Sequence, residues 1–229
     1  MPKYSIIVPF FNRWDLTHKR MMELHKFAPD GCEVVLINDA STEVDGAKFW
    51  VDGASKNPVV YHVNEENLGF GGSMNKGAEL ASGDILIFLS NDVTIVRDFV
   101  TLIGEKIEED ENILIGGRIV YWPGGWNEIE HKGRRFTVPY CEGWLLACTR
   151  KVWDNLGGFD SRYGKYAVED IDLSTTATSL GIKLVALNSP YLKHEDGATA
   201  KYDEHRLEYT KRNKEKYIEK WRDRFDELF

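Results

Sequence analysis

Polar side chains follow several apolar runs of this sequence, at the points where buried strands are expected to end. The run Ile85–Leu89 is followed by the tripeptide SND, which ends in Asp92; the run VVLIN is followed by Asp39; and the stretch YLK is followed by His194. In an open parallel sheet, ligands bind beyond the carboxyl ends of the strands. A turn explains any one of these polar groups, but three of them at one edge of a sheet indicate a site.

Strand and helix patterns alternate through the first part of the chain. Strands are predicted at Tyr4–Pro9, CEVVLIND, PVVYHV and the apolar run before SND. A helix with 3.6-residue periodicity follows the first strand, STEVDGAKFWVDGA is a short helix candidate, and the glycine-rich LGFGGSMNKGAELASG leads into a helix that stops at Gly83. This alternation predicts an α/β fold with a mostly parallel central sheet flanked by helices.

The second part of the chain has longer irregular stretches. A helix is predicted from Asp98 to about residue 110, GWLLACT and KLVALNSPYLKH are strand candidates, and EDIDLSTTATSLG is a helix that ends at Gly181. Residues 122–140 are rich in Gly, Pro, Trp and charge, which predicts a mobile or substrate-facing loop. From Asp203 onward a helix is predicted with an apolar stripe formed by Ile218, Trp221, Phe225 and Leu228.

The composition limits the class of protein. With 229 residues, 42% of them hydrophobic, the chain fits one sizeable domain, and its net charge of −8 argues against non-specific binding to nucleic acid. Three cysteines without CxxC spacing favour a reducing compartment, and no run approaches the roughly 20 apolar residues of a membrane span. Because the amino terminus does not fit a signal peptide, we expect a soluble cytoplasmic protein with at most peripheral membrane contact through its last helix.

Six motifs occur in the order seen in family-2 glycosyltransferases: SIIVPFFNR, VVLINDAST, NLGFGGSMNKG, IFLSNDV, GGFDSRYGKYAVEDIDL and LKHEDGAT. Over roughly residues 4 to 200 the chain resembles these inverting enzymes, which include rhamnosyl-, galactofuranosyl- and glucosyltransferases. The resemblance implies one glycosyltransferase-A domain over residues 1–200, with a nucleotide-binding half (1–97) and an acceptor and catalytic half (98–200). Residues 201–229 are then a C-terminal helix packed on this domain.

The resemblance also implies a divalent cation, Mn2+ or Mg2+, which neutralises the leaving nucleotide diphosphate. Asp92 takes the position of the metal-binding carboxylate in the DxD motif of the family, and His194 matches the histidine that completes the metal site. The first acid of that motif is Ser90 here, so a direct contact from this position to the metal or ribose is in question. Asn91 is assigned to the nucleotide site, where its carbonyl oxygen can compensate.

The nucleotide sugar is implied to be UDP- or dTDP-linked, with UDP favoured. Asp39 matches the carboxylate that accepts a hydrogen bond from the base, and a uracil or thymine N3–H is a suitable donor. The other residues that the resemblance assigns to the nucleotide are Pro9 and Phe11 against the base, Asn67, Gly69 and Asn75 beside the nucleotide, and Lys76 at a phosphate. Taken alone, Asp39 is equally well explained as a helix or turn cap.

Catalysis is implied to rest on the segment VEDIDL. Asp170 takes the position of the general base that removes the proton of the acceptor hydroxyl, and Glu169 can orient the acceptor or the base. Acids at a helix start also suit the helix dipole. Many relatives carry an arginine six residues after the base, where this chain has Thr176. Trp144 occupies the region that often floors a glycan or polymer acceptor, although a core tryptophan is an equal alternative.

Two other classes of protein remain as alternatives. A sugar nucleotidyltransferase usually carries a glycine- and arginine-rich loop after its first strand, and VPFFNRWD contains no glycine. A degenerate, non-catalytic family member that binds carbohydrate is favoured by Ser90 and Thr176 and disfavoured by the presence of the four expected polar residues, Asp39, Asp92, Asp170 and His194. The segment GFGG does not continue as a dinucleotide fingerprint and follows the third strand rather than the first.

Overall fold

The structure is a computed structural model and describes residues 3–121, 128–194 and 206–229. Its strands are β1 (Tyr4–Phe10), β2 (Cys32–Asn38), β3 (Val59–Val63), β4 (Ile85–Leu89), β5 (Val93–Ile95), β6 (Ile113–Gly116), β7 (Ile119–Val120), β8 (Glu128–His131), β9 (Arg134–Thr137), β10 (Tyr140–Cys141), β11 (Leu145–Thr149), β12 (Lys183–Ala186) and β13 (Leu192–His194). Its helices are α1 (Trp14–Phe27), α2 (Ala47–Phe49, continued by a π-helical turn at Trp50–Ala54), α3 (Gly69–Leu80), α4 (Val100–Glu109), α5 (Arg150–Leu156), α6 (Glu169–Ser179), α7 (Arg206–Trp221) and α8 (Phe225–Leu228). Within these described ranges, no helix combines the length and apolar character needed to cross a membrane.

The central sheet has seven strands in the order β12-β6-β11-β4-β1-β2-β3. Pairing is parallel through β4, β1, β2 and β3 and between β12 and β6, whereas β11 runs antiparallel to both of its neighbours. The apolar runs β1, β2 and β4 are buried at every position, as expected for strands covered on both faces. Their parallel order brings their carboxyl ends to one edge, where the sequence predicts a site.

Alternate residues of the central strands pack into two different cores. Ile6 belongs to the core that contains α1 and α4, while Ile7 belongs to the core that contains α3, α5 and α6. A third core is formed by the β8–β9 hairpin, the segment before and in α6, and helices α7 and α8, with Phe136, Ile171 and Tyr217 among its members. The three cysteines are buried and free, in agreement with a packing role.

The prediction that KLVALNSPYLKH forms one last strand is wrong. β12 belongs to the central sheet, whereas β13 leaves it and pairs with β5 in a two-stranded ribbon. The chain turns between them at Asn188, whose φ is 47°. Pro190 follows and lacks the N–H group that a continuing ladder needs.

Two further predictions differ in part from the structure. In place of an irregular loop, residues 128–137 form the β8–β9 hairpin, because Lys132 and Gly133 adopt φ values of 51° and 72° at its turn, as a type I′ turn requires. Residues 122–127 of that predicted loop lie outside the described residues. In STEVDGAKFWVDGA, helix forms only from Ala47 onward.

The predicted C-terminal helix divides into α7 and α8. Trp221 and Phe225 of the predicted apolar stripe are buried, and Ile218 and Leu228 are partly buried against the third core. The predicted helix start at Asp203 and the predicted domain boundary at residue 200 lie outside the described residues.

Candidate active site

A cavity of about 620 Å3 opens at the carboxyl ends of β1, β2 and β4. The predicted site residues that line it are Pro9, Phe11, Asp39, Asn67, Gly69, Asn91, Asp92, Trp144, Glu169, Asp170 and His194. These residues come from both halves of the sequence. The fold therefore brings together the strand-end carboxylates and the acidic pair of VEDIDL, as the sequence predicts.

Asp92 lies in the turn after β4 and is buried. Ser90 Oγ donates a hydrogen bond to Asp92 Oδ1 (2.6 Å), and His194 Nε2 lies 3.6 Å from the same oxygen. Burial acts to raise the pKa of the Asp92 carboxyl, but the close contact with His194 and the hydrogen bond from Ser90 outweigh it, so this pKa lies below its ordinary value. Ser90 therefore orients the Asp92 carboxylate in this arrangement.

Side chains of helix α1 form hydrogen bonds with the same turn. Asn91 Nδ2 donates to Thr17 Oγ1 (3.0 Å), and Arg20 Nε donates to the carbonyl oxygen of Asn91 (3.3 Å). Arg20 is only 1% exposed and pairs with Glu23 of the same helix. Arg20 was not predicted to belong to the site. Its place next to the apolar positions of α1 was an available signal, because an arginine that is buried requires charged or polar partners.

The β5–β13 ribbon places His194 in register with Val93, the residue that follows Asp92. The Trp144 ring stacks on the His194 ring, with centroids 5.3 Å apart and planes inclined by 13°. Trp144 Nε1 donates to Glu142 Oε2 (2.9 Å). Trp144 thus lies on the cavity wall and contacts the imidazole, so it is not simply a core residue.

Asp39 caps the amino terminus of α3. Its Oδ1 accepts hydrogen bonds from the N–H of Leu68 and from Asn64 Nδ2 (2.8 Å each), and its Oδ2 accepts one from the N–H of Gly69 (2.9 Å). Asn67 Nδ2 donates to the Asp39 carbonyl oxygen (3.3 Å). An ionised carboxylate accepts about four hydrogen bonds, so one acceptor position of Asp39 remains for a ligand in the cavity.

Asn75 and Lys76 are not among the residues that line the cavity, and their contacts to the nucleotide stay predictions. Asn75 is engaged with the backbone of Phe159: its Nδ2 donates to the carbonyl oxygen and its Oδ1 accepts from the N–H, both at 2.8 Å. Lys76 Nζ pairs with Glu79 at 3.0 Å. The reason is helix geometry, since Asn75 lies about 9 Å along α3 from Gly69, where the helix touches the cavity.

Glu169 and Asp170 begin α6 and line the same cavity as the β4 turn. Asp170 Oδ2 accepts from the N–H of Gly143 (3.1 Å) and Oδ1 from the N–H of Ile171 (2.9 Å). Glu169 Oε2 is buried with no hydrogen-bond partner among the described residues. Burial, together with the neighbouring charges of Asp170 on Glu169 and of Glu142 on Asp170, raises the pKa of both carboxyls. The two titrate as a pair, which therefore retains a proton to higher pH than an ordinary carboxylic acid.

The two residues before this pair have a strained backbone. Ala167 and Val168 both line the cavity and have φ values of 68° and 78°, in the left-handed region. This conformation costs roughly 1–2 kcal/mol for each non-glycine residue, and it is rarest for a β-branched residue. Neither residue type signals this conformation in the sequence.

The cavity is also lined by residues that were not predicted from the sequence, among them Tyr140, Glu142, Lys165 and Thr210. Glu142 pairs with Arg118, with 2.7 Å between Oε1 and Nη2. A charged residue next to the apolar strand GWLLACT was a usable signal for Glu142. Thr210 lies on α7, outside every motif in the sequence, and gave no such signal.

The donor atoms of Asp92 and His194 suit a divalent cation. A carboxylate oxygen and an imidazole nitrogen are ligands that Mn2+ accepts, and both side chains are held in place by neighbouring groups on the cavity wall. Within the described residues, no cluster of three or more His, Cys, Asp or Glu side chains gathers at a point. The two side chains thus fit a cation that takes its further ligands from water or from a bound diphosphate.

Comparisons with known proteins agree with this geometry. The family model described as "Glycosyl transferase family 2" matches residues 5–163. A glucosyl-dolichyl phosphate glucuronosyltransferase of Haloferax volcanii is 27% identical over 149 residues, which cover 58% of this chain and 47% of that protein. The chain thus spans about half the length of this curated relative.

Solved structures resemble the chain over most of its length. The mannosyltransferase PcManGT of Pyrobaculum calidifontis, in complex with GDP-Man and Mn2+, superposes with a TM-score of 0.63 at 19% identity, covering 81% of this chain and 54% of that one. S. aureus TarS, in complex with UDP, superposes with a TM-score of 0.62 at 20% identity, covering 83% and 59%. These likenesses confirm the predicted glycosyltransferase-A fold.

Proposed function

The chain belongs to glycosyl transferase family 2, as its motifs predict, and we propose that it transfers a sugar from a nucleotide-diphosphate donor to an acceptor hydroxyl with inversion at the sugar carbon. The observation that carries this proposal is that one cavity is lined both by Asp92 and His194 and by Glu169 and Asp170. A single displacement needs a stabilised leaving group on one side of the sugar and a base on the other. We propose a UDP- or dTDP-linked sugar as the donor and a glycan or other polymer as the acceptor.

In this proposal the nucleotide lies at the ends of β1 and β2. Pro9 and Phe11 line the cavity there, and the Phe11 side chain is 38% exposed, which leaves apolar surface for a base. The remaining acceptor position of Asp39 suits the N3–H group of uracil or thymine. Asn67 and Gly69 complete the wall on that side.

Asp92 and His194 are proposed to hold the divalent cation, Mn2+ or Mg2+. When bound, the cation neutralises charge on the leaving diphosphate as a Lewis acid. Ser90 orients the Asp92 carboxylate by its hydrogen bond, and Trp144 stacks on the His194 ring. Both proposed ligands are therefore oriented by their neighbours, which reduces the entropy lost on binding.

Asp170 is proposed to be the general base. The acceptor oxygen forms a bond to the anomeric carbon, the bond from that carbon to the diphosphate oxygen breaks, and the hydroxyl proton moves to the Asp170 carboxylate. The N–H groups of Gly143 and Ile171 fix this carboxylate. The pKa of Asp170 is raised towards neutral pH, and a general base is most effective when its pKa lies near the working pH. Glu169 is proposed to orient the acceptor or the base, and Trp144 to contact the acceptor.

The test combines nucleotide binding with turnover. UDP, dTDP and GDP are each added with and without Mn2+, and thermal unfolding is followed; a ligand at a hundredfold excess over its Kd stabilises the fold by about 2.7 kcal/mol. We expect stabilisation by UDP or dTDP that depends on Mn2+. Asp170→Asn should keep this stabilisation and transfer sugar about 10²–10⁴-fold more slowly. Asp223→Asn, which changes a carboxylate that is 84% exposed, is the matched control and should change neither.

Each contrary result points to a different error. A normal rate in Asp170→Asn refutes the assignment of the base. Glycan binding without stabilisation by any nucleotide refutes the transferase and favours a non-catalytic binding protein. Release of pyrophosphate from a sugar phosphate and a nucleoside triphosphate identifies a nucleotidyltransferase instead.

A further inference from the structure

Asn213 of α7 is bound to the segment that precedes the acidic pair. It is fully buried, and its Nδ2 donates hydrogen bonds to the backbone carbonyl oxygens of Tyr163 (2.8 Å), Tyr166 (2.5 Å) and Ala167 (3.2 Å). One amide group with two hydrogens thus serves three acceptors within five residues. Its Oδ1 is buried without a hydrogen-bond partner among the described residues, so the contact is made specifically by the donor side of the amide.

One of the carbonyl groups that Asn213 binds, that of Ala167, belongs to the strained turn, and those of Tyr163 and Tyr166 precede it. Ala167 is itself in the left-handed region, Val168 follows it in the same conformation, and Glu169 and Asp170 come next. Such backbone persists only where the surrounding structure holds it in place. The hydrogen bonds of Asn213 reach this segment from α7, a helix that begins 36 residues after Asp170, at Arg206.

Helix α7 also binds the first two turns of α6 through side-chain hydrogen bonds. Lys220 Nζ and Trp221 Nε1 donate to the two carboxylate oxygens of Asp172, each at 2.7 Å. Tyr217 OH lies 2.7 Å from Thr175 Oγ1. These contacts fix where α6 lies, whereas the contacts of Asn213 fix the turn that aims its first two residues into the cavity.

We propose that Asn213 is a positioning residue for Asp170, holding the Ala167–Val168 turn in its left-handed conformation so that the carboxylate faces the acceptor side of the cavity. The inference rests on the proposed function, since it assigns Asp170 as the base. Packing alone does not account for an amide at this position, because an apolar side chain of similar size fills the space without burying an unpartnered oxygen.

The experiment measures turnover per binding site in Asn213→Asp. This variant keeps the size of the side chain but replaces the donor with an acceptor that repels the three carbonyl oxygens. Binding sites are counted by calorimetric titration with nucleotide and Mn2+, so that unfolded protein does not contribute to the rate. We expect kcat per site to fall about 10²-fold, the loss typical of a displacement of about 1 Å at a reacting group. We expect the donor KM to change less than about twofold, because the carbonyl groups that Asn213 binds belong to Tyr163, Tyr166 and Ala167, which are not proposed to bind the nucleotide.

A second substitution tests whether the effect travels through the turn. Ala167→Gly in the Asn213→Asp background should restore about tenfold of the lost rate, because glycine adopts positive φ without the penalty that alanine carries. Lys211→Ala changes an exposed residue of the same helix and is the control that should match wild type. If Asn213→Asp does not fold, Asn213→Ala removes the donor without adding charge and carries the same expectations.

The outcomes separate the two proposals. A wild-type kcat per site in a folded Asn213 variant, or no recovery with Ala167→Gly, overturns the positioning role if Asp170→Asn still shows its expected loss of rate. A donor KM that rises as much as kcat falls also overturns it, because the amide then supports the whole site. A wild-type protein without transfer, or an active Asp170→Asn, overturns the proposed function itself and the positioning role with it.

Discussion

At the scale of single residues, Glu169 and Asp170 show how a site that favours one protonation state affects the stability of the fold. Burial is the larger cause of their raised pKa values and the adjacent negative charge is the second for Glu169. An acid whose folded-state pKa lies above its unfolded value binds its proton more tightly in the folded protein. Its contribution to stability is complete below the ordinary carboxyl pKa of about 4 and is lost as pH rises through the raised pKa.

The raised pKa of Glu169 predicts the effect of Glu169→Gln on stability. The amide is neutral at every pH, so the variant does not incur the cost of ionising a second carboxyl beside Asp170. At pH 8 its melting temperature should exceed that of wild type by at least about 3 °C, since one pKa unit corresponds to about 1.4 kcal/mol and each kcal/mol to roughly 2–4 °C. At pH 4.5 the two should differ little. The measurement is thermal unfolding at both pH values, with the exposed Glu219→Gln as the control; an equal shift at both pH values contradicts the linkage.

Single residues also show what a sequence can predict about this site. Asp39 and Asp92 could be found because each follows an apolar run, and the ends of parallel strands meet at one edge. His194 was found through its match to the family motif, since β13 lies outside the central sheet. Asn213 could not be found, because its role depends on a contact between segments about 50 residues apart. Arg20 lies between these cases, since its position in α1 was visible but its partner at Asn91 was not.

At the scale of elements, the amino terminus of α3 and the segment before α6 meet backbone to backbone. Gly69 has a φ of 75°, and a Cβ placed on it would lie 2.4 Å from the Cα of Lys165. The same Gly69 N–H is bound by Asp39. The glycine therefore allows the helix cap and the segment leading to the acidic pair to share one wall of the cavity.

Gly69→Ala should be strongly destabilising, and Gly31→Ala provides its matched control. Both glycines have positive φ, at 75° and 86°, but a Cβ at Gly31 meets no atom within 4 Å. Gly31→Ala should thus cost only the backbone strain, about 1–2 kcal/mol, whereas Gly69→Ala should cost about 1–3 kcal/mol more from the collision. Urea unfolding of the two variants gives the difference directly. Equal losses would mean that the segment at Lys165 moves aside freely.

Elements differ in how far the sequence determines them. The buried strands β1, β2 and β4 are predicted correctly because continuous apolar runs have few alternatives in an α/β chain. The single strand predicted over KLVALNSPYLKH was wrong because the pattern does not reveal that the chain leaves the sheet at Asn188. The hairpin at Lys132 and Gly133 was missed because charged strands at the surface lack the apolar alternation that identifies a strand.

At the scale of the whole molecule, the third core unites parts of the chain that are distant in sequence. Phe225 of α8 stacks on Phe136 of the β8–β9 hairpin at 5.1 Å between centroids, and its ring also lies near His131 (5.6 Å) and Tyr217 (6.0 Å). This core contains Val168, in the strained turn. The C-terminal helices are thus part of the structure that supports the acidic pair.

Phe225→Ala should lower the free energy of unfolding by about 3–5 kcal/mol, the usual cost of removing a buried aromatic ring. Phe229→Ala removes the same ring from a position that is 36% exposed and should cost less than about 1 kcal/mol. Chemical denaturation followed by circular dichroism measures both. A small loss in Phe225→Ala would show that α8 contributes little to the stability of the molecule.

The pairing of β5 with β13 limits the changes in chain length that the site accepts. Side chains alternate between the two faces of a strand, so His194 approaches Asp92 only while it remains in register with Val93. One residue inserted within β13 turns the imidazole to the opposite face, and two return it to the original face but about 7 Å further along the strand, out of register with Val93. Length changes in residues 187–191, which join β12 to β13, leave the register intact. Changes in the length of β13 are therefore incompatible with the site, while changes in the connection must keep the hydrogen bonds from the Leu187 N–H to the Gly116 carbonyl oxygen and from the Val96 N–H to the Tyr191 carbonyl oxygen.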